Sequence, residues 1–204
     1  MAISYPISIP AARAPSRVDI RARSTVGLSA SPFTGSQQTY VHPGEVWEMD
    51  ITLPPLVQSD AEKWVGFLLS LNGREGTFLM GDAAARRQGN WAGSPVVSGS
   101  VVAGVKSIPM RGFSSGATVK VGDWLQMWSG ASTHLHKVSQ DATADSGGLL
   151  TLEIWPRTRG TLADGSGFVT SNAKGIWRLA SNVSQWSIAA SQIYGIQFQA
   201  VEAL

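Results

Sequence analysis

Three histidines and fourteen acidic side chains are the groups in this sequence that could ligate a metal or move a proton near neutral pH. His134 and His136 stand two apart, so on a strand they would share a face and could offer two ligands to one metal ion. A third ligand at useful spacing is missing and His42 is remote, so the pair reads as ordinary strand histidines and no metal is expected. Asp141 and Asp145 in DATADSGG resemble the start of a calcium loop, but the full D-x-D-x-D-G pattern with its distant Glu is not completed, and a solvated hairpin turn is expected. Asp82, Asp123, Glu153 and Asp164 are scattered, and nothing in their spacing compels the paired carboxylates of a glycosidase. Nucleophile-elbow, P-loop and dinucleotide fingerprints are absent, and Asp164 to Gly167 reads as a turn. The sequence contains no cysteine, which excludes thiolate chemistry and disulfides. Catalysis and a cofactor are therefore not expected.

Eight tryptophans are the other residues whose chemistry stands out. Trp47 and Trp64 fall on the apolar faces of a strand and a helix and are expected in a core. Trp155 and Trp177 adjoin Arg157 and Arg178 and read as core or subunit interface. Trp91 lies in a Gly-rich stretch without periodic context, which marks it as a candidate for exposed contact with a neighbour. Trp124 and Trp128, four apart on an expected strand, would share a face and could form a glycan-stacking platform.

The elements that must position these residues are mostly strands. The chain of 204 residues holds 22 glycines and 10 prolines, spread as punctuation between short elements. Ile3 to Ile9 alternates around Pro6 as an edge strand, and Val18 to Ala22 alternates with a charged face. Residues 29–44 read as a loop or irregular hairpin. Trp47 to Leu53 is the clearest strand, and Pro54 and Pro55 end it. A helix is expected over 59–72, opened by a Ser59/Glu62 capping box, striped by Trp64, Phe67, Leu68 and Leu71, and stopped by Gly73. Thr77 to Met80 follows as a strand. Residues 1–94 and 175–204 share one style and 95–174 another, which reads as one β domain carrying a helix and an inserted β domain.

Charge narrows the partners. Sixteen basic and fourteen acidic residues make a sparsely charged chain of net charge +2. A small imbalance of that kind is not the basic stripe of a nucleic-acid binder, so sequence-specific nucleic-acid binding is not expected. No apolar run approaches the roughly 18 residues of a membrane span, and MAISYPISIPAARAPSR lacks the apolar core of a signal peptide, so neither membrane nor secretion is expected.

The phrases LNGREGTFLMGD, VGDWLQMW, LHKV, LEIWPRTR, KGIWRLASN and YGIQFQAVEA, following a Pro-Pro-Leu and a helix, resemble the distal tail and tail-tip proteins of long-tailed bacteriophages over residues 40–204. The resemblance implies a β-sandwich belt domain with one α-helix, closing into a hexameric ring, and an inserted small β-barrel or sandwich. It also implies the tail tube protein and the baseplate hub or tail-tip proteins as partners, and a place in the virion tail after assembly in the host cytoplasm. Other expectations are another tail component, such as a tail terminator or minor tail protein, and a carbohydrate-binding module using Trp124 and Trp128.

Overall fold

A computed structural model describes residues 3–128 and 132–204. In chain order its strands are β1 (Ile7–Ser8), β2 (Arg17–Ala30), β3 (Gln37–Thr52), β4 (Thr77–Met80), β5 (Gly93–Val97), β6 (Ser107–Phe113), β7 (Thr118–Val119) and β8 (Trp124–Met127). They continue as β9 (His134–Val138), β10 (Ala142–Thr143), β11 (Leu150–Trp155), β12 (Phe168–Val169), β13 (Gly175–Leu179), β14 (Trp186–Ile188) and β15 (Tyr194–Glu202), and helix α1 (Gln58–Ser70) lies between β3 and β4. The protein is mainly β, with one helix among the described residues.

Chain ends and beginnings meet in the first sheet, whose order is β1-β4-β13-β15-β3-β2, with β14 beside β15. Alternation explains its inner face: Met49 and Ile51 of β3 and Ile196, Phe198 and Ala200 of β15 all point into one core. Helix α1 closes that face with Trp64, Phe67 and Leu68, and Phe67 meets Phe78 edge-on with ring centroids 5.4 Å apart. The helix does not begin with the expected capping box. Val57 is the N-cap and no side chain caps the turn, so Ser59 falls inside the helix. The reason is upstream, where Leu56 and Tyr194 exchange backbone hydrogen bonds of 3.0 and 2.9 Å, so pairing to β15 sets where the chain turns into the helix. At the other end Asn72 and Gly73 take positive φ of 49° and 64°, as the glycine stop requires.

The second sheet runs β12-β8-β9-β11-β6-β5 and nearly closes on itself. Val97 of β5 and the turn before β12 exchange backbone hydrogen bonds of 3.0 Å, from Val97 N–H to Ser166 and from Gly165 N–H to Val97. Its interior holds Ile108, Met110, Leu125, Met127, Leu152 and Ile154. Trp91 belongs to this interior too, and β5 already starts at Gly93, both before residue 95.

Two N-terminal expectations change. Of the strand expected over Ile3 to Ile9 only Ile7–Ser8 pairs, in parallel with β4, a strand only four residues long. Residues 29–44, read as a loop or irregular hairpin, are the outer part of a hairpin longer than expected, in which β2 and β3 pair from Arg17/Thr52 to Ala30/Gln37 with one irregularity. Its composition hid it. Gly and Pro are poor strand formers, and a strand pair that faces water on both sides lacks the alternation that marks a half-buried strand.

Candidate assembly surface

The hairpin changes character at an irregularity between Arg23 and Thr25. Below it, β2 and β3 belong to the sheet and carry paired charges on the outer face, Arg21 with Asp50 and Arg23 with Glu48 at 2.6 Å. At the irregularity three residues of β3 oppose one of β2, the ladder is disrupted and the strand turns. Gly44 is required there, because a Cβ would lie 2.6 Å from the Thr25 hydroxyl that donates to the Gly44 carbonyl. The extra residues break alternation, so Glu45, Val46 and Trp47 are buried in succession.

Glu45 is thereby aimed between the two sheets. Its carboxylate meets Lys106 at 2.7 Å and accepts from the Arg157 backbone N–H at 2.9 Å. Burial alone would raise its pKa, but Lys106 and the Arg157 N–H outweigh burial and hold it below the usual carboxylate range. Beside it, the Arg159 guanidinium donates to the Glu45 carbonyl at 2.5 Å and to the Glu202 carboxylate at 2.6 Å. Glu202 also accepts from the Trp47 backbone N–H at 3.2 Å and lies 3.6 Å from His134. Burial pushes Glu202 up, and His134, Arg159 and the Trp47 N–H together bring it below its ordinary value. His136, on the same strand as His134, is fully buried and donates through Nδ1 to the Pro156 carbonyl at 2.9 Å. Burial pushes its pKa from 6.5 down to about 4, so the ring is neutral. The arrangement is a clamp of charges, its two carboxylates buried, joining the hairpin root, the second sheet and the C-terminal strand.

Beyond the irregularity the hairpin is an arm. Pairs from Thr25/His42 to Ala30/Gln37, at about 3.3 Å per residue, carry it roughly 20 Å past the sheet. No other strand among the described residues pairs with that part, so both edges of the arm are open. Val26 and Val41 are directly opposed and share a face with Leu28, and all three are exposed. At the tip, between Ser31 and Ser36, Phe33 is 95% exposed. Such an uncovered apolar ribbon is unusual on a chain that stays alone. Residues 24–44 contain no Asp, Glu, Lys or Arg.

One other stretch is longer and equally free of formal charge, residues 179–201. Its strand β14 pairs only with β15 and is exposed throughout, with Val183, Trp186 and Ile188 open to solvent. Outward-facing Gln197 lines two furrows, one of about 500 Å³ beside Trp186, Ser187 and Gly195 and one of about 340 Å³ beside Val183 to Gln185, which lead into β14.

The tryptophans expected at contacts are mostly elsewhere. Trp91 is 4% exposed and donates to Asp123 at 2.7 Å; the Asp123 carboxylate also accepts from the backbone of Gln88, Gly89 and Lys120, and so pulls the preceding loop and its ring inward. Trp177 is fully buried and donates to the Met80 carbonyl at 2.8 Å, because β13 is an inner strand flanked by β4 and β15. Trp155 is partly buried, its ring 4.3 Å from that of Trp47. Trp124 and Trp128 do not share a face: β8 ends at Met127, and Trp128 follows with a positive φ of 61° that breaks alternation. Trp124 joins the first core, with Lys137 over its ring at 4.3 Å and its N–H on Asp82 at 3.1 Å, while Trp128 packs on His134. The carboxylates considered for acid/base work are likewise engaged apart, Asp82 with Trp124 and Asp164 with Arg111, and Asp141 pairs with Lys120 at 2.8 Å. Glu153 lies on β11 opposite Ser107.

What sequence reading missed is the arm and the neutral face, and the signal available was their uninterrupted lack of charge. No known protein family matches the sequence, and no curated protein matches it with significant similarity.

Proposed function

We propose that this protein is a structural subunit of a phage tail, a distal tail or tail-tip component that closes into a ring between the tail tube and the baseplate hub. Six copies is the number the sequence resemblance implies. The observation that carries the reading is the arm: a two-stranded ribbon with open edges, an uncovered apolar face and no formal charge, held at its root by a buried ion cluster. A free hairpin of this kind is marginal alone in water and gains stability when a neighbour covers it. A ring subunit needs a projecting element that reaches the next copy by a contact repeating around an axis. The glycan reading draws less support, since the Trp124 ring is covered by Lys137 and Trp47 and Trp128 faces elsewhere.

Electron microscopy of the purified protein, and of tails carrying a labelled copy, tests the proposal. Closed rings and label at the distal end of the tail are expected. Monomers at every concentration with no label at the tip would overturn it.

A further inference from the structure

We infer that the arm of one copy docks on the β14 face of the next, so that residues 24–44 cover residues 183–199 of the neighbouring subunit. The inference rests on the ring reading and names the two surfaces that meet. Four observations carry it. The two segments are the longest stretches of the sequence without a formal charge, and each carries an exposed strand surface, the arm of β2 and β3 in one and β14 in the other. Neutral surfaces match one another because neither leaves a desolvated charge without a partner, and interface cores are depleted in charge for that reason. Other outward surfaces differ: the hairpin below the arm carries the Arg21, Arg23, Glu48 and Asp50 pairs, and exposed Val121 adjoins the Lys120–Asp141 pair.

Shape agrees with charge. The arm presents Val26, Leu28, Val41 and the protruding Phe33, while the β14 face presents Trp186, Ile188 and Val183 with the two furrows leading into it. Backbone also agrees: β14 has one open edge and the arm has two, so the contact can include strand addition. Finally, the surfaces are different and lie apart in one chain, on opposite sides of β15 in the sheet order, which is what a head-to-tail contact repeated around a ring requires.

The absence of native cysteine makes the test direct. Leu28→Cys with Ile188→Cys, both exposed positions, is treated with a short bismaleimide, and the linked peptides are identified by mass spectrometry; Leu28→Cys with Val121→Cys is the control. A ladder of linked copies joined through 28 and 188, absent from the control, is the expected result. Particles that are rings by microscopy but yield no 28–188 link overturn this inference and leave the ring reading standing, as do 28–28 links in the Leu28→Cys single variant. Monomers at all concentrations overturn both. Trp186→Ala should also weaken association by roughly tenfold or more with the melting temperature of the dissociated chain unchanged, and association unchanged in that variant counts against the inference.

Discussion

The root and the arm of one hairpin are built from opposite materials. At the root, Glu45, Glu202, Arg159 and His136 put charge and polarity where little water reaches, with the half-exposed Lys106 at the edge; along the arm, Val26, Leu28, Phe33 and Val41 put apolar groups where water is abundant. Each would be costly unless something balanced it. The root is balanced within the chain, by ion pairs and hydrogen bonds linking three distant segments. The arm has no balance within the chain. Root residues are therefore expected to govern folding, and arm residues to govern what a second copy does.

The largest effect should come from breaking the root. Glu202→Ala leaves Arg159 buried without its carboxylate, and should cost about 3 to 5 kcal/mol of folding stability in urea denaturation. Acid should weaken the same region without mutation. His136 titrates near 4 when folded and near 6.5 when unfolded, so between those values the unfolded chain binds more protons and stability falls with pH. Its contribution is complete above pH 6.5, and about 2 kcal/mol of it should be gone by pH 5. The lowered carboxyls of Glu45 and Glu202 steepen the loss in the same direction at still lower pH. Melting curves across pH 4 to 8, with His136→Gln flattening the slope between 6.5 and 4, would check this.

At the boundary between the regions the effect should be smaller. Gly44→Ala crowds the Thr25 hydroxyl and should cost about 1 kcal/mol, read by denaturation, while loosening the arm's angle and lowering association as well. Smallest of all for folding is the arm tip. Phe33→Asp should abolish assembly while leaving stability within about 0.5 kcal/mol of the parent compared at a dilution where both are monomers. A comparable loss of folding stability in that variant would erase the distinction between root and arm.

Much of the scaffold was legible in the sequence because burial on one face writes itself as alternation. Trp47 to Leu53 and the Trp64, Phe67, Leu68 stripe are read directly as strand and helix. Where burial is absent or comes from both sides, pattern fails. The arm has no buried face, so its sequence left loop and irregular hairpin undivided. Glu45 stands just ahead of the alternating run, and only a three-against-one irregularity turns it inward. Trp91 looked exposed because Asp123, which holds it inside, is 32 residues away in sequence. The helix start was misplaced for the same reason, as pairing of Leu56 with Tyr194 overrides a local capping signal.

The most direct test of the division between root and arm is mass photometry of the parent chain beside Phe33→Asp, each at matched concentration and with its melting temperature recorded. The account predicts a closed oligomer for the parent, and for the variant a monomer whose melting temperature equals that of the parent diluted until it dissociates. A parent that stays monomeric throughout, or a variant that still assembles, would contradict it.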